Sequence, residues 1–300
     1  MVVAEYEPDR YLATLMIIFY DPSCLEYSKP GHPDRPERIA RTAPVLKNRH
    51  AEWEWQRPRA ATDDELLRAH SQQHTQRVMN AREDFDPDTP VYPNIETYAR
   101  QAAGAAIEAA RAALHGQSAL SLMRPPGHHA MRDRAMGFCY FSNIAIAALD
   151  ALESGTERVA IWDFDGHHGN GTEAILAHNR RIQFASIHQF PAYPGTGAKS
   201  FANIDNYPVA PFTPRTEHVD VAKHSLEKLL TFKPDLLLVS AGFDAYVRDP
   251  LLQLTLERED FAKFGAWLSN IDIPVAVVLE GGYSDDLPEL IDAFLTAWQS

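Results

Sequence analysis

The sequence has little cysteine. Cys24 and Cys139 are its two thiols in 300 residues. Two are too few for a disulfide framework or a four-cysteine zinc site, and they fit a reducing compartment. Long apolar runs are also missing, with none approaching the roughly 20 residues of a membrane-spanning helix. The opening MVVAEYEPDR is acidic and has no signal-peptide core. Positive charge is short: 28 Lys and Arg stand against 41 Asp and Glu, a net charge of −13. Such a balance repels phosphate backbones and argues against intrinsic nucleic-acid binding. It suits a solvated acidic surface or a cationic substrate. These absences predict a cytoplasmic protein with neither nucleic acid nor membrane as partner; they leave oligomerisation open.

What is present can build a core. Hydrophobic residues make up 45% and charged residues 23%, an ordinary globular balance. Short continuous apolar runs read as buried strands at 15–20, 119–123, 159–164, 182–187, 236–240 and 275–279. Helical patterns fall between them, over 95–115, 138–153, 217–232, 259–270 and 285–298. Strand alternating with helix predicts an α/β fold with a single, mostly parallel sheet. No linker divides the chain, so residues 1–300 read as one catalytic domain, and 85–93 reads as a surface loop. In such folds ligands gather beyond the carboxyl ends of the strands.

The unusual residues stand at those ends. The stretch from Trp162 to Thr172, WDFDGHHGNGT, follows a strand. In extended chain Asp165 and His167 point the same way and offer oxygen and nitrogen to a divalent metal. Asp244, in AGFD after the next strand, could supply a third ligand and leave a position open for water; alone it would read as a helix cap. The RPPGHHA stretch ends on His128 and His129, which suit general base and acid. Glu280-Gly281-Gly282-Tyr283 places a phenol where it could stabilise an oxyanion, although a lone Gly-Gly-Tyr is more often packing. The combination is a parts list for metal-assisted amide hydrolysis.

These stretches, with HPDRPERI at 32–39, GFCYF at 137–141 and YPGTG at 193–197, resemble the histone deacetylase superfamily in kind and order. That superfamily also holds acetylpolyamine amidohydrolases and acetoin-utilisation proteins. The resemblance implies an arginase-like three-layer α/β/α fold. It implies one zinc per chain on Asp165, His167 and Asp244, a ligand set that also suits iron(II). Catalytic roles fall to His128, His129, Tyr283, Asp163 and Asn170, with His129 the better base. Asp163, Ser186 and Ile187, with the main chain of Asp165 and His167, would hold a structural potassium ion. Asn170 stands where many relatives have aspartate and places the chain nearer the class II-like branch. Gly137, Phe138 and Tyr193 would form the substrate tunnel, Asp88 its rim, and Arg38 an acetate exit.

Leu251 follows Arg248-Asp249-Pro250, near where polyamine-selective relatives of that family tend to carry a glutamate. This tilts the expected substrate toward acyl-lysine peptides or proteins, deacylated by metal-assisted water attack. Acylated polyamines or other small amides are the alternative. An arginase-type manganese hydrolase would need more bridging carboxylates. A catalytically silent acyl-lysine binding protein is the reading from another class, and the presence of Tyr283 speaks against it.

Overall fold

The computed structural model of the chain describes residues 16–300. Eight strands form one sheet: β1 (Ile17–Phe19), β2 (Glu54–Gln56), β3 (Ala119–Ser121), β4 (Val159–Asp163), β5 (Ile182–Gln189), β6 (Ile204–Val209), β7 (Leu236–Ala241) and β8 (Val275–Leu279). All neighbours pair in parallel, in the order β2-β1-β3-β8-β7-β4-β5-β6. Every residue of β4, β7 and β8 is buried, as continuous apolar strands require when helices cover both faces.

The helices among the described residues are α1 (Glu37–Arg49), α2 (Asp63–Ala69), α3 (Gln72–Asn80), α4 (Ile95–Leu114), α5 (Asn143–Glu153), α6 (Asn170–Leu176), α7 (Arg215–Leu230), α8 (Arg258–Leu268) and α9 (Leu287–Trp298). The alanine-rich α4 is buried along most of its length and packs against α5 and the sheet. Small side chains allow that close approach. On β4, Trp162 reaches α7 and α8. Its indole N–H donates to Ser225 Oγ at 2.9 Å, and its ring lies 5.5 Å from that of Phe264. Phe164, Phe243, Phe261 and Phe294 extend this aromatic cluster. No described helix is long and apolar enough to cross a membrane.

The parallel sheet agrees with expectation; several element boundaries do not. Leu15, at the start of the first expected strand, lies outside the described residues. The helix expected from 138 begins only at Asn143. Gly137 and Phe138 both take positive φ, and Met136 and Cys139 close a tight turn, which removes those residues from the helix. The edge strand β2 carries the exposed Glu54, and β6 contains polar Asp205 and Asn206 and the exposed Pro208, so neither resembles a buried strand in sequence. Pro44 inside α1 masked that helix. Thr62 and Glu65, which form the capping box of α2, were the unused signal there.

The Phe264→Ala variant should lose about 3–5 kcal/mol of stability, because it opens a cavity between α8 and β4. Urea denaturation followed by far-UV circular dichroism would measure this.

Candidate active site

Parallel pairing puts the carboxyl ends of all the strands on one edge. There β3, β8, β7 and β4 are consecutive neighbours, and each is followed by one of the four polar motifs. Residues 119 to 283 in sequence are thereby brought to one point.

Asp165, His167 and Asp244 converge with their donor atoms within 4.8 Å of one another. His167 Nδ1 lies 2.6 Å from Asp244 Oδ2 and 3.4 Å from Asp165 Oδ1. Backbone amides aim the carboxylates. Gly281 N donates to Asp165 Oδ2 at 2.7 Å, and Gly166 N to Asp244 Oδ1 at 2.6 Å. A Cβ on Gly242 would stand 1.9 Å from Asp165 Oδ2, so only glycine lets this strand end approach. Asp163, Asp165 and Asp244 are fully buried, and histidine is their only basic ion-pair partner among the described residues. Burial raises the Asp163 and Asp244 carboxyls. Burial alone would lower His167, but Asp244 and Asp165 push it up to about 10. A divalent cation can replace that proton. Two carboxylates, one imidazole and no competing lysine or arginine fit zinc, and iron(II) by the same chemistry.

The tandem histidines sit beside this cluster with different surroundings. His128 Nδ1 is 3.1 Å from Asp163 Oδ2. Burial disfavours its charge, yet Asp165 and Asp163 outweigh that and push it up to about 10. His129 Nδ1 lies 2.7 Å from Asn170 Oδ1 and, as the donor to an amide oxygen, carries the proton. Burial, then the charges of His128 and His167, hold His129 well below its ordinary value, so it is neutral. Its Nε2 is left as the basic atom.

A cavity of about 260 Å³ opens onto His129, His167 and Tyr283. Gly137, Phe138, Tyr193, Leu251 and Asp88, all expected around a substrate, line it. Gly137 has φ +58°, and a Cβ there would lie 2.5 Å from the His129 ring, so the cavity wall depends on glycine at this point. The Tyr193 ring meets His129 edge to face at 5.2 Å. Tyr283 is nearly buried, which raises its phenol well above the ordinary value and keeps it a donor. Asp249 Oδ2 accepts from Tyr283 N at 2.7 Å. Ser186 stands opposite Asp163 in the β4–β5 register, with Ile187 next along β5.

Arg38 has its donors committed to Asp34, Glu280 O and Gly282 O, and its guanidinium lies 4.8 Å from the Tyr283 ring centroid. Cys139 is buried, and burial pushes its thiol well up, as befits an inert packing residue. Sequence reasoning missed His32 and Pro33, which line the cavity, and Asp249 and Glu280, which brace its backbone. HPDRPERI and the acid preceding Gly-Gly-Tyr were the available signals.

A family model described as the histone deacetylase domain matches residues 32–298. An uncharacterized protein of Synechocystis is 40% identical over 293 residues, 92% of this chain and 96% of its own length. A probable deacetylase of Methanothermobacter thermautotrophicus is 36% identical over 90% of this chain and 86% of its own. The crystal structure of acetylpolyamine aminohydrolase from Burkholderia pseudomallei superposes with a TM-score of 0.87 at 25% identity, covering 95% of this chain and 99% of that one. A domain match over most of the length, on a sheet whose strand ends gather these motifs, places the chain in the histone deacetylase family.

Proposed function

We propose that residues 1–300 form one catalytic unit that hydrolyses the amide bond of N-acylated amines, most readily acyl-lysine side chains, with zinc on Asp165, His167 and Asp244. The observation carrying this reading is one cavity lined together by His167 of the ligand cluster, the imidazole of His129 and the phenol of Tyr283. Zinc, when bound, supplies Lewis acidity to the scissile carbonyl and to water. His129 Nε2 takes the proton from the attacking water while Asn170 fixes the ring through Nδ1. The same nitrogen then returns the proton to the leaving amine, giving free amine and carboxylate. Tyr283 donates its hydroxyl proton to the carbonyl oxygen as negative charge builds there. His128, held against Asp163 through Nδ1, keeps its ring beside the site and supports His129, which acts as the base.

Asp163 and Ser186, with the main chain of Ile187, Asp165 and His167, would hold a potassium ion that fixes the loop after β4. The support is the β4–β5 register and the full burial of Asp163. Phe138 and Tyr193 would enclose an aliphatic stem, Gly137 would leave its backbone open to that stem, and Asp88 would meet polar groups at the rim. Leu251 gives the mouth an apolar wall and favours a peptide-borne acyl-lysine over a second ammonium group. Acetylated polyamines are the second reading. The likeness to the Burkholderia acetylpolyamine aminohydrolase and the net charge of −13 favour it.

Three outcomes are expected. Replacing Tyr283 by Phe should lower kcat on an acetyl-lysine peptide about a hundredfold or more, with KM little changed, in steady-state assays. Chelator treatment should abolish turnover and one equivalent of zinc should restore it, while Asp244→Ala should reduce the bound zinc seen by atomic absorption. Side by side, kcat/KM should be higher on the acetyl-lysine peptide than on an acetylated diamine. The reverse order would move the substrate to polyamines, and turnover of neither would sink the deacylase reading.

A further inference from the structure

Glu280 follows β8 and is fully buried, yet no lysine or arginine meets its carboxyl group among the described residues. Its Oε2 accepts from two consecutive backbone amides, Gly127 N at 2.7 Å and His128 N at 3.1 Å. Oε1 accepts from Ser240 Oγ at 3.3 Å. The backbone of the same segment is equally committed. Glu280 N donates to Ala241 O at 2.9 Å, Arg38 donates to Glu280 O, and Gly281 N donates to Asp165 Oδ2. One residue therefore touches the end of β7, the tandem-histidine loop after β3 and the segment leading to Tyr283.

We infer that Glu280 is a positioning residue that sets the His128–His129 loop at its distance from Tyr283. The inference rests on the deacylase reading given above. The loop from Arg124 to His129 is irregular, and its Gly127 and His128 amides have no sheet partner to satisfy them. A buried carboxyl costs stability by desolvation, and here burial pushes Glu280 up to about 7, against the pull of His128 and the Gly127 amide. What it offers in return is one acceptor with the reach to hold two adjacent amides. That service needs an oxygen at the right place and does not need a charge.

Three variants separate reach from charge. In Glu280→Gln the carbonyl oxygen can serve both amides, and the new amide group can donate to Ser240 Oγ. In Glu280→Asp the charge stays but the oxygen retreats by one methylene, about 1.5 Å. Glu280→Ala removes the acceptor altogether. Reach predicts that Glu280→Gln keeps kcat on the acetyl-lysine peptide within about threefold. Glu280→Asp and Glu280→Ala should fall about a hundredfold, with KM and zinc content unchanged. Should Glu280→Ala fail to fold, the Asp and Gln variants still decide. A readout independent of turnover is the ¹⁵N-edited resonance of the His129 Nδ1–H. It should stay in place in Glu280→Gln and shift or broaden in Glu280→Asp. An unaltered protein that turns over neither substrate refutes the deacylase reading, and the imidazole resonance then still tests the positioning. Glu280→Asp outperforming Glu280→Gln, equal losses in both, or an undisturbed resonance in Glu280→Asp would overturn the inference.

Discussion

Asp163, Asp165, Asp244 and Glu280 are buried together at the ends of three neighbouring parallel strands, β4, β7 and β8. Burying one carboxylate is costly, and burying four side by side compounds desolvation with mutual repulsion. Much of the surrounding architecture answers that constraint. Backbone amides of Asp165, Gly166, His167, Gly281, Gly127 and His128 point at these oxygens. Histidines supply the nearby positive charge. A divalent cation held by Asp165, Asp244 and His167 would relieve that repulsion most directly, and that is why the cluster is legible as a metal centre from its chemistry.

The neighbouring imidazoles show how environment divides labour between identical side chains. Buried beside carboxylates, His128 is pushed up, whereas burial and then the neighbouring His128 and His167 rings hold His129 well down. Asn170 matters here because its oxygen fixes the His129 ring without adding a charge that would raise its affinity for the proton. Away from the cluster, a second buried network holds the frame. Asp34 accepts from Arg38 and Arg124 at 2.9 and 2.8 Å, tying the loop before α1 to the loop after β3. Arg38 carries the tie onward to the carbonyls of Glu280 and Gly282. Desolvated ions of this kind add little net stability, but they fix geometry firmly, because losing one partner leaves the other unpaired.

Much of this was legible in the chain before any coordinates. Continuous apolar strands signal a parallel sheet with two covered faces, and a parallel sheet gathers strand-end motifs on one edge. WDFDGHHGNGT, RPPGHHA, AGFD and GGY carry their chemistry in residue type and two-residue spacing, so the ligand cluster and the histidine pair could be named from them. The edge strands β2 and β6 could not, because strand formation there is dictated by a neighbour's free hydrogen-bonding edge and not by their own hydrophobicity. The late start of α5 was likewise invisible, since the positive φ of Phe138 is imposed by the turn around the cavity.

By itself the sequence determined the fold class and the inventory of reactive groups, because periodicity and residue chemistry are local properties. Tertiary structure alone decided which groups meet. It set β8 between β3 and β7, and so brought Glu280 to the amides of Gly127 and His128, more than 150 positions away along the chain. It shifted His128 and His129 in opposite directions, joined Gly137, Phe138, Tyr193 and Leu251 into one cavity, and committed Arg38 to backbone carbonyls. Those outcomes depend on distance and desolvation between residues remote in sequence, and both exist only once the chain has packed.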